Sequence, residues 1–440
     1  GVYKSMDGGT TWTNMGLEET HRIGRMHIHP TSPDIVYVAA LGGSRGPNEQ
    51  KGVFKTTDGG KTWKNTTLIS KDIGFVDLAM DLESPDTLYA AAYGAESGLY
   101  KTTDGGVTWT KLTIGLPEGD TGRIGLDIYR KDPRIVYAII QNAAGGIFRS
   151  EDKGETWKRM SDTNPGPSNY SELRIDPLND QRIWVFGASM YNSDDGGRTF
   201  VTDHVTRIHG DHHALWINPR DSNHLLLGSD GGIHYSYDRG LTWDFVNTIA
   251  IGQFYEIGYD METPYNIYGG LQDNANWGGP VRTRHQQGIS NEDWWHVGGD
   301  DGFYTQVDPD DAKTIYFESQ NGVLRRLNLR RLEIKTIRPE PDEGEAPYRF
   351  NWNSPIVISP HDSKTIYYGG NRLFKSTNRG DEWTRTADLT KNLGETLNDA
   401  TLSRNRGVST ITTISESPLV QGVLYVGTND GNIQVSRDDG

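Results

Sequence analysis

The pentapeptide HGDHH at 209–213 gathers three of the chain's twelve histidines around one aspartate. Imidazole titrates near neutral pH and is a common metal ligand, and a carboxylate beside it completes either an acid–base pair or a ligand set. On an extended strand His209, Asp211 and His213 face one side, and Gly210 and His212 the other. The same residue types also suit a hydrogen-bonded turn that fixes one element to the next. Other carboxylates stand in glycine-bounded loops: Asp230 in GSDGG (228–232), Asp273 in GLQDNANW (270–277), Asp300 and Asp301 in GGDDGF (298–303), and Asp430 in GTNDG (427–431). Glycoside hydrolysis needs two carboxyl groups across one bond, an acid and a base or nucleophile. The expected catalytic candidates are Asp273, Asp300 and Asp230. The expected ligand-binding residues are His209, Asp211, His212, Gln272 and Asn274, with Arg22, Arg25 and Arg123 as planar guanidinium forks for ligand carboxylates. Trp295, with Trp277 and Trp294, offers flat faces to a pyranose ring, although tryptophan also serves as packing. Neither a metal nor a cofactor belongs to this expected set.

Composition narrows the partners. The 440 residues carry a net charge of −15, which disfavours nucleic acid, because phosphate-backbone binding needs a basic face. It disfavours anionic membrane surfaces as well. LRRLNLRRLEIK (324–335) is a basic run, and it reads as a solvated strand pair. There is no cysteine, hence no disulfide and no thiol chemistry. No apolar run approaches membrane-spanning length. The sequence starts at Gly1 inside one copy of a repeat and stops inside another. It is therefore expected to be a segment of a longer, secreted, periplasmic or surface protein whose export signal precedes it.

The elements that must position these residues follow from that repeat. KSMDGGTTW (4–12) returns as KTTDGGKTW (55–63), KTTDGGVTW (101–109) and RSEDKGETW (149–157). Asp7, Asp58, Asp104, Asp152, Asp195 and Asp238 occupy the same place in the box, 43 to 51 residues apart. Asn378 replaces Asp in a weaker copy, and Asp438 opens a last one. A second series of short apolar strands, from DIVYVAA (34–40) to VLYVGTN (423–429), runs through the interval between Asp238 and Asn378 where boxes are missing. Short Val-, Ile- and Tyr-rich runs bounded by Gly, Asp and Pro read as strands. Four of them every 45 residues or so make a propeller blade. In the second copy the strands fall near 22–30, 34–40 and 52–57, with the last beginning at Thr62. The box then spans the turn between the third and fourth strands. Its Asp accepts backbone N–H groups, its Gly supplies an unusual backbone conformation, and its Trp fills the gap between blades. Identical chemistry at six points around a ring makes no single active site, so the boxes are scaffold. Binding residues are expected at the opposite ends of the blades, at the starts of the innermost strands (Arg22, Arg25, Asp77, Arg123, Tyr170, Glu172) and in the loops after the second strands.

The Ser-x-Asp-x-Gly-x-Thr-Trp pattern resembles the Asp box of bacterial-neuraminidase-type repeats, found in sialidases, two-propeller xyloglucanases and the sortilin-type Vps10 propeller. RIGRMHIHPTSPDIVYVAALG (22–42), HGDHHALWINP (209–219) and YRFNWNSPIVISPHDSKTIYYGGNRLFKS (348–376) resemble the sortilin-like and BNR-repeat glycosyl hydrolase group of large secreted bacterial proteins. The resemblance covers nearly the whole chain. It implies an all-β fold of Asp-box propeller blades, as parts of two seven-bladed rings with residues 1–248 in the first and 249–440 in the second, or alternatively one ten-bladed sortilin-like ring. It implies a polysaccharide or a peptide or protein ligand held at the channel mouth, or hydrolysis of a glycan by paired aspartates. The sialidase arginine triad and the paired aspartates of xyloglucanases find no matching positions here, and the cysteine-rich module that follows the sortilin propeller has no counterpart in these residues.

Overall fold

The computed structural model describes residues 1–43, 48–67, 71–94, 96–165, 171–202, 208–249, 252–391 and 409–440. Tyr170 lies outside them. The described residues form ten antiparallel sheets and two single-turn 3-10 helices, Asn291–Asp293 and Gln320–Gly322. Seven sheets have four strands in simple sequential order, the meander of a propeller blade. Among the described residues no helix is long and apolar enough to cross a membrane. The chain divides into two compact units, Gly1–Val246 with the first six sheets and Asn247–Gly440 with the last four.

The second blade shows the plan. Its strands are Arg22–His29, Ser32–Gly42, Lys51–Thr56 and Lys64–Asn65. The expected fourth strand at Thr62 begins two residues later, because the box through Trp63 is spent on the turn. Second strands are the most apolar, and Leu88–Ala92 of the third blade is buried throughout. A short continuous apolar run of this kind belongs to a strand covered on both faces. Alanines at 90 to 92 let neighbouring sheets approach, while Tyr37, Phe75 and Leu88 fill the space between the second and third blades. Tyr89, Ile124, Phe148 and Trp157 do so between the third and fourth. Each such side chain contributes roughly 1.5–3 kcal/mol by leaving water.

Inner strands touch backbone to backbone at glycines. A Cβ on Gly24 would stand 2.1 Å from the Val76 carbonyl oxygen of the next blade, and one on Gly258 of the seventh blade 2.0 Å from that of Thr305.

The boxes are turns closed by their own side chains. Asp58 Oδ1 accepts the Thr56 hydroxyl at 2.7 Å and the Thr62 N–H at 2.9 Å, and Oδ2 accepts the Thr62 hydroxyl at 2.6 Å. Asp7, Asp104, Asp152, Asp195 and Asp238 repeat this set. The hydroxyl of Thr108, then its backbone N–H, hold the Asp104 carboxyl down at about 2. Gly59 and Gly60 take φ of 74° and 97°, which a side chain resists. Gly59 N–H donates to Asp34 O at 3.0 Å, so the box is pinned to the first turn of its own blade. Trp63 donates its indole N–H to Met15 O of the preceding blade at 2.6 Å. In the weaker copy Asn378 Oδ1 accepts the Ser376 hydroxyl and the Glu382 N–H, both at 2.9 Å.

Candidate functional site

In the first unit the inner strands Arg22–His29, Gly74–Met80, Ile124–Ile128 and Glu172–Asp176 bring charged residues together. Arg25 donates to Asp77 and to Glu172, each at 2.8 Å. Arg123 reaches the other Glu172 oxygen at 2.8 Å, and Arg174 reaches Glu172 at 3.2 Å. Asp77 also accepts the backbone N–H of Leu126, one blade further on, at 2.8 Å. One layer below, Asp127 does the same for Ile175 at 2.8 Å. Burial opposes the charge on Arg25, but Asp77 and Glu172 outweigh it and its pKa is raised. Burial opposes the Asp77 carboxylate too, and Arg25 and Arg174 bring its pKa below the ordinary value. Two of the three expected ligand forks, Arg25 and Arg123, are thus joined to one buried glutamate, while Arg22 stays exposed at its strand start. Glu172 is the residue of this network that meets three guanidinium groups. Its position at a strand start was the available sequence signal, but its pairing across blades was not.

The HGDHH cluster lies where the sixth blade begins. The alternation expected of it does not hold, because Asp211 is left-handed with φ 55° and the inner strand starts at His212. His212 turns inward, 1% exposed. Burial, then repulsion from His209, His234 and His213, lower its pKa to about 4. His213 points outward and pairs with Asp230 at 2.8 Å. His209 Nδ1 sits 3.0 Å from Gly210 O, and Asp230 N–H donates to Asp211 O at 3.2 Å. His212 N–H donates to Gly187 O of the fifth blade at 2.7 Å, so the cluster does join one blade to the next.

In the second unit, two loops of the seventh blade meet at the end remote from the box turns. The blade's strands are Glu256–Tyr259, Asn266–Gly270, Asn276–Pro280 and Trp295–Gly298. Its loop after Gly270 and the connection after Gly298 are tied by Gly302 N–H donating to Leu271 O at 2.9 Å. Asp273 N–H donates to Asp301 Oδ1 at 3.1 Å, and Asp301 N–H to Gln320 Oε1 at 2.9 Å. Asp300 receives both Nη groups of Arg325 at 3.1 Å. Four residues here are left-handed without being glycine: Asp273, Ala275, Asp300 and Asn321, with φ between 64° and 68°. Such residues gather where surrounding structure over-determines them, often at functional sites.

Aromatic rings frame these loops. Tyr255 donates its hydroxyl to Gln272 and packs edge-on against Phe303 at 4.9 Å, and Trp352 lies 6.4 Å beyond Phe303. Trp277 donates to Asn274 O at 2.6 Å. Trp295 is placed differently from the expectation of a sugar platform. It packs edge-on against Tyr268 at 5.8 Å and joins the Val297, Ile315 and Phe317 core. Trp294 covers Gly279, where a Cβ would come within 2.4 Å of the indole. Asp430 is a turn residue whose Oδ2 accepts the Lys391 N–H at 2.7 Å.

Beneath the loops Glu318 is fully buried, and its Oε1 accepts the Ser354 N–H at 3.3 Å. Among the described residues, its Oε2 and the hydroxyl of fully buried Tyr368 have no hydrogen-bond partner. Burial pushes the Glu318 carboxyl well above its ordinary value, and Asp301 adds to the effect. Sequence reading missed Glu318, since TIYFESQ (314–320) looks like any other second strand.

Blades of this geometry define a β-propeller. Residues 1–135, less than a third of the chain, match the family model described as Sortilin, neurotensin receptor 3. No curated protein matches it significantly. Among solved structures it is similar to a glycoside hydrolase family 74 enzyme of Niastella koreensis, at 17% identity and TM-score 0.37, over 100% of this chain and 72% of the other. It is similar to a family 74 xyloglucanase of Xanthomonas campestris, at 14% identity and TM-score 0.37, over 99% and 79%. It is also similar to PorZ, a surface component of the type-IX secretion system of Porphyromonas gingivalis, at 14% identity and TM-score 0.44, over 83% and 47%.

Proposed function

We propose that this protein is a secreted or surface-exposed binding propeller whose ligand is a glycan held at the loop end of the seventh blade. One observation supports the reading most: two loops of a box-free blade converge there, carrying Asp273, Asp300 and Asp301 with Gln272 and Asn274, on three left-handed non-glycine residues, Asp273, Ala275 and Asp300. Carboxylates and amides suit sugar hydroxyls, and the Trp277 and Tyr255 rings suit the apolar face of a pyranose. A carboxylate-bearing peptide suits the place less well, since the adjoining guanidinium of Arg325 is engaged by Asp300. The two units are read as parts of two rings.

The convergence of three aspartates favours one second reading, hydrolysis of the bound glycan by a carboxyl pair. Affinity electrophoresis in gels containing xyloglucan or mixed-linkage glucan, with product analysis of the same incubations, separates the readings. Retardation without released oligosaccharide supports binding, and release lost in Asp273→Asn supports hydrolysis. Neither retardation nor release from any glycan rejects both.

A further inference from the structure

Between the eighth and ninth blades a group of buried oxygen atoms stands without donors. Glu318 lies near the end of the second strand of the eighth blade, Asp311–Ser319, and Tyr368 in that of the ninth, Ile366–Gly369. Both are 0% exposed. Burial first, and the Glu318 carboxylate second, push the Tyr368 hydroxyl well above its ordinary value, so the two groups share one space. Ser354 N–H donates to Glu318 Oε1 at 3.3 Å, and the N–H of Gly322 lies beside the same carboxyl. The residue just before each of these donors is an asparagine, Asn353 or Asn321, with its Oδ1 buried. Among the described residues Glu318 Oε2, Asn321 Oδ1, Asn353 Oδ1 and the Tyr368 hydroxyl have no hydrogen-bond partner.

The chemistry of these atoms narrows what meets them. Carboxylate and amide oxygens are pure acceptors, and a phenol oxygen accepts as well. One water molecule offers two hydrogens, too few for the set, and it leaves a buried carboxylate charge without compensation. The neighbouring guanidinium groups are committed elsewhere. Arg325 donates to Asp300 at 3.1 Å and to Ser319 Oγ at 3.2 Å. Arg338, whose charge reaches Tyr368, stacks over Phe350 at 4.8 Å. Asp301, in the loop above, adds negative potential at Glu318. Buried polar atoms left unpaired in a native fold mark the place of a water or an ion, and an all-oxygen set around a carboxylate suits a hard cation. The two asparagine-bearing segments are held in place by their own bonds. Asn321 sits left-handed, with φ 64°, in the turn Gln320–Gly322. Asn351 N–H donates to Ser354 Oγ at 3.1 Å, and Asn353 N–H to Asn351 Oδ1 at 3.3 Å.

We infer that Glu318, Asn321 and Asn353 are ligands of a calcium ion that ties the eighth blade to the ninth, with the Tyr368 hydroxyl beside it. The site does not depend on what the loops above it bind. One carboxylate among neutral ligands makes it a weak site, with Kd on the order of 10⁻⁴–10⁻³ M. Without the ion the buried carboxyl keeps a proton. The test is titration calorimetry of calcium chloride into the chelator-treated whole chain, for the parent, Glu318→Gln and Asn353→Ala. One saturable site per chain is expected in the parent, weakened by roughly tenfold in Asn353→Ala and abolished in Glu318→Gln. Calcium at about ten times Kd should raise the thermal midpoint of the parent and leave that of Glu318→Gln in place. Calcium held by surface carboxylates would survive both substitutions. Absence of saturable binding by the folded parent in millimolar calcium overturns the proposal, as does affinity unchanged in Glu318→Gln or in Asn353→Ala.

Discussion

Glu172 and Glu318 are two buried carboxyls with opposite surroundings, and they predict opposite behaviour. Glu172 meets three guanidinium groups. Replacing it by Ala leaves Arg25, Arg123 and Arg174 without this partner, and breaking such a network costs about 3 kcal/mol or more. Denaturant unfolding of Glu172→Ala should show that loss, with Glu172→Gln falling between it and the parent. Among the described residues no cation stands against Glu318. Its folded pKa is raised above 4.5, so above that pH the folded state keeps a proton the unfolded state releases, and stability falls as pH rises toward the folded pKa. Glu318→Gln should flatten this alkaline slope in thermal unfolding followed from pH 5 to pH 8, values chosen to bracket about one unit above the free carboxyl and neutrality. A slope of equal size in the variant would mean that Glu318 is ionised when folded. At this scale the sequence was partly legible. Arg25, Asp77, Arg123 and Glu172 stood out by their place at strand starts, but which charges meet depends on inter-blade register, which no local pattern encodes. Glu318 was hidden because burial alone makes it unusual.

At the scale of elements the boxes are self-contained turns, and Asn378 is a natural control for their chemistry. Asparagine keeps the Oδ1 acceptor and replaces the second oxygen that takes the Thr hydroxyl elsewhere. Asp195→Asn should therefore cost less than Asp195→Ala, and the Ala change about 1 kcal/mol once solvent screening at this surface position is allowed for. Equal losses in chemical denaturation would argue that Oδ1 contributes nothing. Gly24 tests the approach of inner strands. A methyl group 2.1 Å from a backbone oxygen cannot be accommodated by rotating a side chain. Gly24→Ala should thus cost about 1–3 kcal/mol as an overpacking change, measurable by the same method. Strand order and box role were readable from spacing, because each blade repeats one local solution. The HGDHH alternation was not, since the left-handed Asp211 ends the period-two pattern just before the strand begins.

At the scale of the whole molecule, repetition explains both what is robust and what is specific. Blades with boxes share their turn chemistry, so they cannot distinguish one ligand from another. The seventh and eighth blades lack the box, and the proposed glycan site lies where the loops of these two meet. Sequence singled out Asp273, Gln272 and Asn274 there because the blade breaks pattern. It did not reveal that Asp301 takes the Asp273 amide, or that Trp295 belongs to the core and Trp277 to the loop end.

The central claim is that this loop end binds a glycan, and titration calorimetry of soluble xyloglucan and mixed-linkage glucan oligosaccharides into the parent protein and Trp277→Ala tests it most directly. Saturable binding of at least one oligosaccharide by the parent is expected, weakened by roughly tenfold in the variant at unchanged thermal midpoint, as loss of a stacking face should do. Affinity that survives Trp277→Ala intact, or no saturable binding by the folded parent, would contradict it.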